Sequence, residues 1–175
     1  MQKTLPRPIG RRSGEKGQAI IEIALVAPLL LVLMMGVFDY SRAIHAQAVI
    51  TNMSREAANI ISRSNQNLSG NESADFQNVM NLVGQTAQPL NMTAQGMMYM
   101  YKVECVNNTN TITLEVDWNG TSLSPKPAMN ASAAALGGIT LAPGQIAYGV
   151  EVYYQYQSFF LGNQFTPTLA SRSIF

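Results

Sequence analysis

Cysteine and histidine are almost absent from this sequence, which has one of each among 175 residues, Cys105 and His45. A single cysteine excludes an intramolecular disulfide and any zinc site built from several thiolates. A single histidine removes most of the usual catalytic triads. Because no nucleophile–base pair, metal cluster or phosphate loop can be assembled from the residues, we predict neither an enzyme nor a cofactor. His45 is expected to be solvated, and Cys105 a small buried residue, with an intermolecular disulfide left open.

Charged residues are also scarce, at 12% of the chain against 47% hydrophobic residues. The formal net charge is only +1, so no overall basic field points to nucleic acid. The charge is unevenly distributed. Residues 1–17 contain five basic side chains and one acidic, whereas the remainder contains six basic and nine acidic. The basic character therefore belongs to the N-terminal leader.

A long apolar run follows the leader, from Gln18 to Phe38, and Glu22 is its only charged residue. A helix over this run covers about 31 Å, close to the hydrocarbon thickness of a bilayer. The run is longer than the apolar region of a cleaved secretory signal, and no small-x-small site follows it. We therefore predict a retained transmembrane helix, bent at Pro28. The basic leader places the N-terminus in the cytoplasm and the rest of the chain outside.

The junction between leader and span reads GQAIIE from Gly17 to Glu22. This pattern resembles the processing site of type IV pilin precursors, where an intramembrane aspartyl peptidase cuts after the glycine. The resemblance implies cleavage between Gly17 and Gln18, with Gly17 entering the peptidase cleft as extended peptide. Gln18 and Glu22 share one helix face, so the carboxylate of one subunit can pair with the new α-amine of its neighbour. Glu22 is otherwise expected to reach the interface or to be protonated.

The segment 22–58 is similar to the TadE-like pseudopilins of tight-adherence (Tad, or Flp) pilus systems. The shared features are a glutamate, an LVAPLLL-type segment with proline, a glycine before an acidic residue, and a later REAA element. Here they are Glu22, Leu25–Leu31 with Pro28, Gly36 with Asp39, and Arg55–Ala58. Ile23 stands where many members have Phe or Tyr, so predicted cleavage depends on the glycine and the glutamate.

Beyond the span, an apolar stripe at helical spacing extends the helix to about Arg63. Its members are Ala46, Val49, Ile50, Met53, Ala57, Ile60 and Ile61. We interpret this stripe as core rather than as a partner-binding face. Asn65–Asp75 is predicted to be a loop with Ser73 as a helix cap, and a short amphipathic helix from Phe76 to Ala87 ends before Pro89.

The rest of the chain changes to the period of two that is typical of strands. Tyr99–Cys105 and Ile112–Trp118 predict a hairpin with its turn at Asn107–Asn110. Ile146–Tyr156 and Thr168–Ile174 predict a third and a fourth strand. Asn119–Gly144, between the second and third strands, is predicted to be a long surface loop with one turn of helix. The predicted fold class is α+β, with an antiparallel sheet of three to four strands packed on the long helix.

The predicted organisation is a cleaved leader (1–17), a transmembrane helix (18–38), its extension (39–64) and an α+β head (65–175). The predicted function is that of a TadE-like pseudopilin in Tad pilus assembly, anchored in a bacterial inner membrane with a periplasmic head. Its partners would be a prepilin peptidase, the assembly platform, other pilin subunits and the lipid bilayer. The alternative is a single-span binding module of a secretion apparatus that never enters a filament.

Overall fold

The computed structural model describes residues 13–64, 70–130, 136 and 138–175, with side chains from Gly17 onward. Most of the predicted leader, 1–17, lies outside the described residues. The contacts divide the chain at Tyr40 into an N-terminal unit and a second unit, Ser41–Phe175, which we call the head unit. The helices and strands are α1 Ser13–Ser64, α2 Glu72–Thr86, α3 Met92–Gln95, β1 Gly96–Val106, β2 Thr109–Asp117, β3 Ile146–Gln155 and β4 Thr168–Ile174.

Helix α1 begins at Ser13, earlier than the predicted start near Ala19. One glycine at position 17 does not end it, because a helical glycine costs only about 1 kcal/mol relative to alanine. The helix assignment continues through Pro28, and the bend predicted there stays a prediction. From Gly17 onward, α1 is long enough and apolar enough to cross a membrane, by length and composition.

The four strands form one antiparallel sheet in the order β2-β1-β3-β4, which confirms the predicted α+β class. The hairpin turn is tighter than predicted. Asn107 and Asn108 both have positive φ, at 52° and 61°, and asparagine tolerates this conformation better than most residues. The prediction counted Thr109 and Asn110 in the turn, but they pair with Val106 and Cys105 in the ladder.

One face of the sheet packs against the part of α1 that belongs to the head unit, as predicted. Most of the predicted stripe is buried in the main core, although Val49 and Ile60 are only partly covered. Two fully buried residues of this helix were not predicted, Ser54 and Ala58. Small side chains at these positions let the helix approach the sheet closely.

Helix α2 covers the same face and begins at Glu72, so the predicted loop to Asp75 is too long. The prediction of Ser73 as its cap is wrong. The Asn71 side chain accepts a hydrogen bond from the backbone N–H of Ala74 and caps the helix instead. Both residue types are favoured N-caps, and with Asn71 as the cap the helix begins at Glu72, before Ser73. Glu72 then accepts a 2.8 Å hydrogen bond from Lys102 Nζ on β1, which fastens α2 to the sheet.

The opposite face of the sheet is covered by the irregular segment between β2 and β3. A small core forms there around Tyr101, Val103, Ala147 and Leu136. The Tyr99 hydroxyl donates to the backbone carbonyl of Pro127, which ties the segment to β1. The helical turn predicted within Asn119–Gly144 was not located more closely, and residues 131–135 and 137 of this segment lie outside the described residues.

Candidate assembly site on the N-terminal helix

The predicted processing site lies within a helix. Gly17, Gln18 and Glu22 all belong to α1, whereas the sequence argument requires an extended peptide at Gly17. Among the described residues, no atom lies within 4 Å of a Cβ built on Gly17. Folding of this chain therefore does not require glycine at position 17.

Glu22 lies on a distinct stripe of α1. Gly17, Gln18, Ile21, Glu22, Leu25 and Val26 line one open groove along the helix surface. Their spacing is that of neighbouring positions on a single helix face. The predicted pairing partners, the backbone nitrogen of Gln18 and the carboxyl of Glu22, therefore belong to the same face, surrounded by apolar side chains.

The whole apolar run is exposed. Every residue from Gly17 to Phe38 is exposed to solvent in the isolated chain, and Leu25, at 76%, is among the most exposed. An exposed apolar surface of this size marks a membrane or protein contact, because soluble monomers rarely expose one. The N-terminal unit is thus an apolar helix that could anchor the chain in a membrane.

In the head unit, Ser54 fastens α1 to the last strand. Its hydroxyl lies 3.0 Å from the hydroxyls of both Ser171 and Ser173 on β4. Earlier on the same helix, the side-chain amide of Gln47 donates to the backbone carbonyl of Ala170 at 3.0 Å. The sequence analysis missed these contacts, although a serine in the middle of an apolar helical stripe was a usable signal for one.

A second feature that the sequence analysis missed is a buried acid on β3. Glu151 is 2% exposed, and its Oε2 accepts hydrogen bonds from the Asn130 backbone N–H at 2.7 Å and the Tyr153 hydroxyl at 2.9 Å. Arg172 Nη1 lies 3.9 Å from Oε1, which has no hydrogen-bond partner within the described part of the chain. Glu151 thus holds the β2–β3 segment on the sheet.

Tyrosine ionisation is suppressed around this acid. Burial raises the pKa of Tyr101 to about 12, and the nearby Glu151 adds to the shift. Burial, followed by the hydrogen bond to Glu151, also raises the pKa of Tyr153. These tyrosines are therefore neutral structural groups near pH 7, and none is activated for proton transfer.

Chemistry-bearing residues do not cluster in the parts that the structure describes. No group of three or more His, Cys, Asp or Glu side chains there is arranged to hold a metal ion. His45 is exposed on α1, and Cys105 is a free, buried thiol on β1. The two residues that most often supply reactive groups thus lie on separate elements. The burial of Cys105 confirms its prediction as a small core residue.

Comparison with known proteins finds one family. The family model described as "TadE-like protein" matches residues 17–59, the segment that runs from the predicted junction through the REAA element. The predicted resemblance is confirmed by this match. No curated protein and no solved structure gives a significant match to the chain.

Proposed function

We propose that this chain, whose residues 17–59 match the TadE-like family model, is a processed pseudopilin that contributes to the assembly of a Tad pilus. It is inserted in the inner membrane with its N-terminus in the cytoplasm and cut after Gly17 by a prepilin peptidase. The mature helix then packs with other subunits at the assembly platform or in the filament. The family is structural rather than enzymatic, and its association with pili implies contacts with other pilus components.

The observation that carries this proposal is the continuous exposed apolar surface of α1 from Gln18 to Phe38. In the membrane this surface is covered by lipid. In a filament the same surface can be covered by equivalent helices of neighbouring subunits, so the segment suits both environments. Within the head unit, the buried residues of the helix begin at Ala46.

Glu22 sets the axial alignment of neighbouring subunits. A carboxylate in an apolar zone costs about 2–3 kcal/mol on insertion scales, so an unpaired Glu22 would oppose assembly. After cleavage, the α-amine of Gln18 is a cation on the same helix face. When two helices pack with an axial offset, the amine of one can neutralise Glu22 of the other, and other offsets leave the acid unpaired. The pair therefore favours one alignment of neighbouring subunits.

The proposal is tested by asking where the head is found. A tag inserted at the Asn107–Asn108 turn, which is exposed, reports its position without touching the core. The tag should appear in sheared filaments, or filaments should be lost when the gene is deleted. Piliation unchanged by deletion, with the tag only in membranes, would instead favour the anchored binding module.

Glu22→Ala tests the pairing, with Glu56→Ala as the matched control. Glu56 is an exposed glutamate on the same helix but lies in the head unit. Glu22→Ala should leave processing intact and reduce piliation strongly, whereas Glu56→Ala should change neither. Normal piliation with Glu22→Ala would refute the pairing.

A further inference from the structure

The loop between β3 and β4 exposes an unusual amount of apolar surface. Phe159, Phe160, Leu161 and Phe165 are 66%, 44%, 58% and 52% exposed, within a short stretch of chain. Bulky apolar residues that cluster on a surface, rather than occurring singly, mark a contact with lipid or protein. We call residues 158–165 the aromatic loop.

The aromatic loop is ordered by its own hydrogen bonds. Ser158 pairs with Gly162 as an isolated bridge, and its hydroxyl accepts from the Leu161 N–H at 2.9 Å. The Ser158 N–H donates to the carbonyl of Phe165 at 3.3 Å, which closes the base of the loop. Gly162 has a φ of +54°, a left-handed conformation that favours glycine. The loop therefore presents its apolar side chains on a defined scaffold.

The loop is fixed beside the start of the head unit's helix. The Arg42 guanidinium lies 5.5 Å from the centre of the Phe159 ring, a cation–π contact within the head unit. Gln47 and Ser54 then contact successively later residues of β4, so the helix runs along β4 away from the loop. The aromatic loop is at the end of the head where the helix enters it.

Chain connectivity limits how far Arg42 can be from the predicted span. Arg42 follows Phe38, the last residue of the predicted span, by four positions. Four residues extend about 6 Å in a helix and about 14 Å when fully stretched, so Arg42 stays near the bilayer whatever the path. The headgroup layer on each side of the hydrocarbon core is about 5–8 Å thick. Phe159, in contact with Arg42, lies within reach of this layer.

We propose that the aromatic loop is a second membrane contact, inserted into the interface of the leaflet on the head's side. Phenylalanine and leucine side chains partition into the boundary between headgroups and acyl chains. The contact would fix the head's tilt on the membrane before the subunit is taken up. This inference depends on the proposed membrane anchor, but not on cleavage or on entry into a filament.

The proposal is tested with the full chain in vesicles of phosphatidylcholine and phosphatidylglycerol. Single cysteines are introduced for a polarity-sensitive fluorophore, in a Cys105→Ala background, and quenching is measured with nitroxides at the headgroup or mid-chain. Phe160→Cys and Leu161→Cys report on the loop, and Leu33→Cys on the span. Asn108→Cys is the control, because the β1–β2 turn lies at the far end of β1, about 30 Å from the end near the loop.

Labels at 160 and 161 should show blue-shifted emission and strong quenching by headgroup nitroxides, and the label at 108 should show neither. The loop contact would be overturned if the labels at 160 and 161 were as unquenched as the label at 108. Quenching of the label at 33 by mid-chain nitroxides would then leave the anchor intact. An unquenched label at 33 would remove the anchor and the inference together. Loop shifts that vanish when protein is diluted in lipid would assign the loop to a second copy and overturn the lipid contact.

Discussion

The hydroxyl of Ser54 lies 3.0 Å from that of Ser171 and joins the TadE-like helix to the last strand of the sheet. Ser54 is fully buried, whereas Ser171 is partly covered, so the contact lies at the edge of the core. The match of the family model ends at residue 59, inside this packed region. The matched segment thus includes helix residues that belong to the core of the head unit.

Ser54→Ala should lower the free energy of unfolding of the head by about 1–2 kcal/mol, because the serines of β4 lose a buried hydrogen-bond partner. Ser62→Ala is the control, since Ser62 is on the same helix and donates to the exposed carbonyl of Asn59 in its own turn. It should change stability by less than about 0.5 kcal/mol. Urea unfolding followed by circular dichroism measures both. Equal effects would mean that the Ser54 contact is not stabilising.

Gly149→Ala should be strongly destabilising. The Tyr101 ring lies across Gly149, its partner on the neighbouring strand, and a Cβ there would be 2.1 Å from Tyr101 Cε2. Because the ring is fully buried, it cannot move aside without disturbing the second core, and overpacking of this kind costs about 1–3 kcal/mol. Gly138→Ala, where no described atom lies within 4 Å, should be close to neutral. Thermal unfolding of both variants measures the difference in stability. A small effect of Gly149→Ala would contradict the close packing of Tyr101 on Gly149.

Glu151→Gln should destabilise the head by about 1–3 kcal/mol, because the amide can keep one hydrogen-bonded oxygen but loses the attraction to Arg172. Glu115→Gln on β2 is the matched control, since Glu115 is exposed and its replacement should have little effect. Denaturant unfolding gives the difference. A neutral Glu151→Gln would show that the β2–β3 segment is held mainly by its apolar contacts.

Stability should fall at alkaline pH, and Tyr101 should account for part of the loss. Burial raises the pKa of Tyr101 to about 12, whereas the pKa of a tyrosine in the unfolded chain is about 10. The folded state therefore holds the proton more tightly, so the stabilisation is complete below about pH 10 and is lost as pH rises towards 12. Tyr101→Phe should flatten this part of the profile and cost little at pH 7, since the hydroxyl has no hydrogen-bond partner within the described residues. If Tyr101→Phe left the slope of the unfolding free energy against pH unchanged between about pH 9 and 12, Tyr101 would not be the group responsible.

The sequence predicted the fold well where periodicity was strong. The helical stripe and both outer strands were recognisable because one face of each element is more covered than the other, and alternation in the sequence follows this difference. The Asn71 cap and the two-residue turn were misplaced because several polar residues compete at each boundary. Glu151 was missed because alternation places it on the face opposite Val150 and Val152, where an acid is unremarkable. Two of its partners, Asn130 and Arg172, are also distant in sequence.

Gly17 was singled out by pattern, and nothing in the described packing explains it. Gly17→Leu should block processing if a narrow peptidase cleft excludes larger side chains. Gly36→Leu is the matched control, because Gly36 is on the same helix and is also free of described neighbours around a built Cβ. Its precursor should still be processed. Immunoblots of cells that contain the peptidase separate the precursor from the processed protein by size. Processing of both variants would show that the peptidase does not require glycine at position 17.

The first residue of the protein in cells tests the account most directly. Mass spectrometry of the intact chain from membranes should give an N-terminus at Gln18 when the prepilin peptidase is present, and at Met1 when it is deleted. A chain that begins at Met1 in both strains, or one cut beyond Phe38 so that the apolar helix is lost, would contradict processing and assembly through this helix.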